Sequence, residues 1–308
     1  MSESIFVTGG SGFVGNAVIE ELVARGCGVN ALVNRGELKV KSGDLRTIRG
    51  DLFNDAALDA GLTGCTAVIH LVGIIAEKPS RGATFQHIHV EGTHRMVDAA
   101  KRAGVRRLIH MSALGSRRSA ASEYHKTKWA AEEYVRSSSL EWTIFRPSLV
   151  HGPGGEFTQM LARWSRGKAV PYLFMPYFGA GLLGTGGAGL LQPVYVKDVA
   201  RAFVEALSNP RTIGQTYELG GAERLTWPEL YHVAAEAIVG RRRVVVPIPA
   251  WYAKALTHVL PRALLPFNRD QVIMSQEDST ADMRKFEREL GWQPRGFQET
   301  IGEYADAL

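Results

Sequence analysis

The sequence predicts an α/β fold: a doubly wound parallel sheet followed by a smaller, mostly helical C-terminal lobe. Two observations lead there. Short apolar runs alternate with helical spacings through the first half of the chain, the pattern of strands covered by helices on both faces. In addition, a glycine-rich turn, Thr8-Gly9-Gly10-Ser11-Gly12-Phe13-Val14-Gly15, links the first such run to the first helix. The 308 residues suffice for one large core and an appended lobe.

In chain order, Ile5–Val7 is a strand ending at the glycine turn, and Phe13–Ala24 has helical spacing. Strands are expected at Val29–Val33, Thr47–Arg49, Ala67–Leu71 and Arg107–Met111. Phe85–Ala103 is a long amphipathic helix stopped at Gly104, and Tyr124–Ser138 is another, followed by the strand Trp142–Arg146. Beyond Arg146-Pro147 the pattern loosens, then Asp198–Leu207 reads as a helix that Asp198 caps, and Thr216–Leu219 as a strand. From Trp227 onward the chain reads as mostly helical.

Composition narrows the classes. Hydrophobic residues are 45% and charged residues 22%, which fits a globular chain and not a disordered one. The 33 glycines are an excess, but without a Gly-X-Y period they exclude collagen. Cys27 and Cys65 stand far apart, which excludes a disulfide scaffold or zinc ribbon and fits a reducing compartment. Met1-Ser2-Glu3-Ser4 shows no presequence pattern, so a cytoplasmic location is expected. The net charge of +5 is mild; the pairs Arg106-Arg107 and Arg117-Arg118 and the run Arg241–Arg243 read as solvated or capping residues, with no nucleic-acid partner. His70, His87, His89, His94 and His110 lack metal-ligand spacing, so no metal is expected.

The 28 residues between Lys168 and Lys197 carry no charge. Pro171, Pro176, Pro193 and six glycines from Gly179 to Gly189 argue against a membrane-spanning helix and for an apolar loop over a pocket. A second apolar stretch holds Trp251, Tyr252, Leu256, Val259, Leu260, Leu264, Leu265 and Phe267, with Pro261 and Pro266 interrupting any long helix. It reads as core, as the lining for an apolar small molecule, or as a surface that touches a membrane.

In the glycine turn, Gly10, Gly12 and Gly15 fit G-x-G-x-x-G, while Gly9, Gly12 and Gly15 fit the spaced form. Following a strand and opening a helix, the motif marks a Rossmann dinucleotide site, in which backbone N–H groups approach a pyrophosphate. The second strand ends Val33-Asn34-Arg35-Gly36 without the carboxylate that usually meets the NAD ribose. Arg35, with Lys39 and Lys41 nearby, suits a 2′-phosphate, so NADP is preferred over NAD. The expected domains are residues 1–150 for the dinucleotide and 151–308 for the substrate, with 192–220 returning to the sheet.

Tyr124-His-Lys-Thr-Lys128 sets a phenol and an ammonium on one helix face. Lowering a tyrosine pKa from about 10 to about 7 takes roughly 4 kcal/mol. One cation about 4 Å away at an effective dielectric of about 20 supplies that amount. Tyr124 and Lys128 are therefore read as a catalytic pair, with Ser112 or Ser116 as the group that polarises a substrate oxygen.

Together these residues resemble the short-chain dehydrogenase/reductase superfamily in its extended, epimerase/dehydratase-like form. The resemblance also includes Gly50-Asp51-Leu52, where the family's Asp meets the adenine, Arg146-Pro147-Ser-Leu-Val-His-Gly152-Pro153, Pro193-Val-Tyr-Val-Lys-Asp198-Val-Ala and Leu290-Gly-Trp-Gln-Pro294. His70-Leu71-Val72-Gly73, His89-Val-Glu-Gly92-Thr93 and Met111-Ser112-Ala-Leu-Gly115 are similar to one branch, that of complex I alpha-subcomplex subunit nine and its bacterial relatives. The resemblance implies nucleotide contacts from Gly9, Gly12, Phe13, Val14 and Gly15, from Asn34, Arg35, Asp51 and Leu52, and from Leu71, Val72, Gly73, Lys128 and Pro147. His89 stands where the family carries an active-site Asn.

The leading expectation is thus an NADP(H)-dependent oxidoreductase for a hydroxyl or carbonyl of an apolar small molecule or a quinone-related compound. The branch also implies a nucleotide-bound but catalytically silent subunit of a respiratory or quinone-synthesis complex, associated with a membrane. A nucleotide-sugar epimerase or dehydratase is the third reading, for which Arg163, Arg166 and Arg201 would serve a diphosphate.

Overall fold

The computed structural model describes residues 4–187, 189–259, 265 and 267–308. Expectations for residues 1–3 and for Leu260, Pro261, Leu264 and Pro266 lie outside the described residues. The chain forms two compact units.

The first unit takes the chain to Pro147 together with Val196–Leu219 and Met283–Trp292. Its strands are β1 (Ser4–Thr8), β2 (Gly28–Val33), β3 (Leu45–Arg49), β4 (Ala67–His70), β5 (Arg107–Met111), β6 (Glu141–Pro147) and, after three strands of the second unit, β10 (Gln215–Leu219). They lie in the order β10-β6-β5-β4-β1-β2-β3, every neighbour parallel. The chain leaves β1 toward β2 and β3, then returns to place β4 on β1's other side. That reversal opens a crevice at the C-terminal strand ends, where ligands bind in such sheets.

Helices cover both faces. Helix α1 (Phe13–Ala24) packs with α6 (Val196–Ser208). Helices α2 (Asp55–Leu62), α3 (Gly92–Arg102) and α4 (Glu123–Ser137) pack in succession, with a π-helical segment, Gln86–Glu91, leading into α3. This double cover explains why Ile5, Phe6, Val7 and Ile69 are wholly buried and read as continuous apolar runs. Helix α6 begins two residues before Asp198, which lies in its first turn.

Arg107 is a correction. Expected on the surface, it is buried, and its guanidinium donates to Glu141 O, Thr143 Oγ1, Ala206 O and Thr212 Oγ1. Four oxygens thus meet Nη1 and Nη2 of the buried cation, which ties β5 and β6 to the end of α6, while Nε has no hydrogen-bond partner among the described residues. Arg201 is also engaged within this unit: it pairs with Glu205 at 2.8 Å and lies 4.2 Å from the Trp292 ring centre.

The second unit comprises Ser148–Tyr195, Gly220–Asp282 and Gln293–Leu308. Strand β7 (Val150–His151) pairs with β9 (Val194–Tyr195), and β8 (Met175–Gly179) with β11 (Val245–Pro249), both parallel. Its helices are α5 (Glu156–Ser165), α7 (Trp227–Val239), α8 (Ala250–Val259), α9 (Arg269–Met274) and α11 (Phe297–Gly302), while α10 (Arg284–Leu290) belongs to the first unit. The β8–β11 ribbon was not expected, because Pro176, Pro247 and Pro249 erase a strand signal. A two-stranded ribbon has only edge strands, where proline is tolerated. Among the described residues, no helix is long and apolar enough to cross a membrane.

Candidate nucleotide and catalytic site

The site candidates gather at the C-terminal ends of β1 to β6 and on two helices of the first unit. Gly9 turns the chain out of β1 with φ +77°, a conformation that favours glycine. Its backbone touches the segment after β4: a Cβ there would stand 3.3 Å from Leu71 C and Val72 N. Gly12 N–H donates to Gly9 O at 3.0 Å, closing the turn before α1.

Helix α1 starts without a side-chain cap and without an acidic residue in its first turn. Gly12 at the N-cap is exposed, while Phe13 and Val14 are half-buried. The first-turn N–H groups and the positive helix end therefore remain directed at any anion brought to them. These residues fit a dinucleotide pyrophosphate. A Cβ on Gly15 would lie 2.1 Å from Gly9 O and 2.8 Å from Gly10 O. Gly15→Ala is thus expected to displace the turn and weaken nucleotide binding at least about tenfold in a titration.

Asn34 and Arg35 are exposed at the end of β2. Two contacts that sequence spacing did not reveal fix this segment. Ser11 Oγ donates to Arg35 O at 2.8 Å, and Arg49 Nη1 donates to Gly36 O at 2.8 Å. Asn16 adds a third tie, its Oδ1 accepting Lys39 N–H at 2.8 Å. Asp51 follows β3, with Oδ1 accepting Phe53 N–H at 2.9 Å, and Leu52 is buried beneath Gly92. Pro147 ends β6, its carbonyl accepting Leu114 N–H at 2.9 Å.

Ser122 caps α4 by accepting His125 N–H, and Tyr124 and Lys128 follow one turn apart. Lys128 is buried and Nζ donates to Met111 O at 2.5 Å. Nζ also lies 3.8 Å from where a Cβ on Gly73 would stand. Burial lowers the Lys128 pKa to about 8, and Glu132 acts in the opposite direction. Ser112 and Ser116 are both buried, and the Ser112 hydroxyl donates to Ser116 Oγ at 3.3 Å. The two serines considered as alternatives are therefore neighbours in space.

One expectation is corrected. Lys128 does not lower the Tyr124 pKa in this structure; burial of the phenol pushes it up to about 12. The phenol sits edge-on to the rings of Phe85, His89 and His125, and the ammonium is turned to a backbone carbonyl. At neutral pH the tyrosine is a protonated donor.

His89 is buried with both ring nitrogens engaged. Nε2 lies 3.1 Å from Ile74 N and 3.1 Å from Ile74 O. Nδ1 lies 2.9 Å from Thr127 Oγ1, which is also within reach of Glu123 O and Tyr124 O. Burial, with Lys128 next in effect, lowers the His89 pKa to about 2, so the ring is neutral. The ring fastens the segment after β4 to α4 and has no nitrogen left for a water relay.

His70 likewise bridges Thr8 Oγ1 at 2.6 Å and Thr93 Oγ1 at 3.1 Å. The His110 ring stacks on it with centroids 5.3 Å apart. Among the described residues, no group of three or more His, Cys, Asp or Glu is placed to hold a metal ion.

Residues 5–220 match the model of the NAD dependent epimerase/dehydratase family. The chain is 28% identical to the 40 kDa subunit of mitochondrial NADH-ubiquinone oxidoreductase of Neurospora crassa, over 94% of this chain and 75% of that protein. It is 32% identical to NADH dehydrogenase [ubiquinone] 1 alpha subcomplex subunit 9 of Arabidopsis thaliana, over 81% of this chain but 61% of that protein, less than two thirds of its length. A ceramide reductase of Caulobacter vibrioides is 28% identical over 78% of this chain and 72% of its own. Among solved structures, the UDP-glucose 4-epimerase of Thermus thermophilus in complex with NAD superposes with a TM-score of 0.73 at 24% identity, covering 98% of both chains, a likeness of fold.

Proposed function

Because this chain belongs to the NAD dependent epimerase/dehydratase family, we propose that it is an NADP(H)-dependent oxidoreductase that reduces a carbonyl of an apolar small molecule. One observation carries the reading: the segment after β4 touches the glycine turn at Gly9 and reaches Lys128 at Gly73. A dinucleotide held at the turn would therefore extend along Leu71, Val72 and Gly73 toward Tyr124 and Lys128.

The first turn of α1 would hold the pyrophosphate, Asp51 and Leu52 the adenine end, and Arg35 the 2′-phosphate. The nicotinamide, when bound, supplies the hydride. Ser112 Oγ orients the substrate oxygen, and Tyr124 Oη, protonated at neutral pH, donates the proton. Lys128, mostly charged at neutral pH with a pKa of about 8, binds the ribose. The match to a protein named ceramide reductase supports an apolar substrate.

NADP preference rests on Arg35 and on the absence of a carboxylate at the end of β2. Arg35→Ala is expected to weaken NADPH binding about tenfold or more, the range of a charge-assisted phosphate bond, and to leave NADH affinity unchanged. Equal weakening of both nucleotides would contradict the assignment.

A second reading, a nucleotide-bound subunit without turnover, is favoured by the two relatives named as parts of NADH-ubiquinone oxidoreductase. Complementation of a null strain separates the two. Gly12→Asp, which sets a carboxylate at the exposed N-cap of α1, should fail under both readings. Tyr124→Phe should fail only if the protein is an enzyme.

A further inference from the structure

The second unit carries an apolar, cation-edged face that the nucleotide site does not use. Phe157 to Lys197 contains no Asp or Glu, and neither does Ala237 to Arg269. The β8–β11 ribbon brings these two acid-free segments together. At its start, Met175 N–H donates to Val244 O at 2.8 Å and Arg243 Nη2 to Tyr172 O at 2.7 Å. Past its far end, Trp251 Nε1 donates to Leu182 O at 3.1 Å, joining the loop after β8 to the start of α8.

Large apolar side chains on these segments are exposed. Leu173 is 81% exposed, Leu182 77%, Leu183 73% and Trp251 54%, with Val244 and Tyr252 also exposed. Scattered single hydrophobes are ordinary on a surface, but six on two joined segments form a patch that calls for a partner. The charge on the same segments is one-sided: Lys168, Arg241 and Lys254 have no acidic partner among the described residues, and Arg242 pairs with Glu236 at 2.7 Å.

We infer that this face docks on the surface of an anionic lipid bilayer, with Leu182, Leu183 and Trp251 entering the headgroup boundary and the Lys and Arg side chains meeting lipid phosphates. Exposed leucines beside Trp and Tyr suit a layer that is apolar on one side and wet on the other. The cations select for negative headgroups. A second copy of the chain is disfavoured, because a two-fold contact through this face sets its unpaired cations against themselves. The docking surface is independent of Tyr124 and of the glycine turn.

Flotation of the full chain with phosphatidylcholine vesicles, with and without phosphatidylglycerol, tests this. Binding is expected with phosphatidylglycerol only, and weakening as salt rises. Leu182→Ser/Leu183→Ser and Arg241→Glu/Lys254→Glu are each expected to reduce the bound fraction about tenfold or more, with melting temperature and nucleotide affinity unchanged. The inference is overturned if the wild-type chain stays unbound, or if both well-folded double variants bind like it. It is equally overturned if sedimentation without lipid shows a dimer that Leu182→Ser/Leu183→Ser converts to monomer.

Discussion

Tyr124→Phe lowers turnover by about two to four orders of magnitude, the range for removing a positioned general acid, and leaves NADPH affinity within about twofold. The substitution removes only the hydroxyl; the ring contacts with Phe85, His89 and His125 remain. The variant should therefore fold as the parent does. Lys128→Met behaves differently, because its ammonium donates to Met111 O and lies beside Gly73. It loses affinity and turnover together. Steady-state kinetics combined with nucleotide titration separates the two effects, and wild-type turnover in Tyr124→Phe removes the proton donor from the mechanism.

The second large effect is acid lability. Burial lowers the pKa of His70 to about 3 and of His89 to about 2, and holds His110 well below the usual histidine range. In the second unit burial likewise lowers that of His151 to about 3. Between those values and about 6.5, the unfolded chain binds protons that the folded chain does not, so stability falls as pH falls through this window. At pH 4.5, His70 and His89 together cost about 5 kcal/mol. That is comparable to the whole stability of many domains.

The thermal midpoint is expected to fall by roughly 10–20 °C between pH 6.5 and 4.5. His151→Gln, which keeps a polar group beside Tyr304, should flatten the acid slope of the second unit. Equal midpoints at pH 7 and 5 would show that these rings titrate normally. Lys128, whose folded pKa is about 8, adds a slope of the same sign between about pH 8 and 10.5.

Much of the first unit was legible because its signals are local. Phe13–Ala24 and Arg107–Met111 have the boundaries that periodicity suggests, and the long helix before β5 differs only in its π-helical entry. Helix α2 went unread, because Asp55–Leu62 is short and holds Gly61. The site loops were legible for the same local reason: each follows a strand whose end is marked by Gly, Ser or Pro.

The rest depends on partners distant in sequence. Ser11 meets a carbonyl 24 residues away, His89 meets Thr127 38 residues away, and Arg107 meets Thr212 105 residues away. No spacing rule encodes those pairs. Helical spacing shows that the Lys128 ammonium is near Tyr124, but not that it donates to Met111 O or that burial pushes the Tyr124 pKa up to about 12.

The most direct test is calorimetric titration of the purified chain with NADPH and with NADH. Saturable binding of one NADPH per chain, tighter than NADH and lost in Gly12→Asp, is the expected result. Absence of binding by either nucleotide to folded, nucleotide-free protein would contradict the assignment of the Gly9–Gly15 turn and, with it, the proposed chemistry at Tyr124.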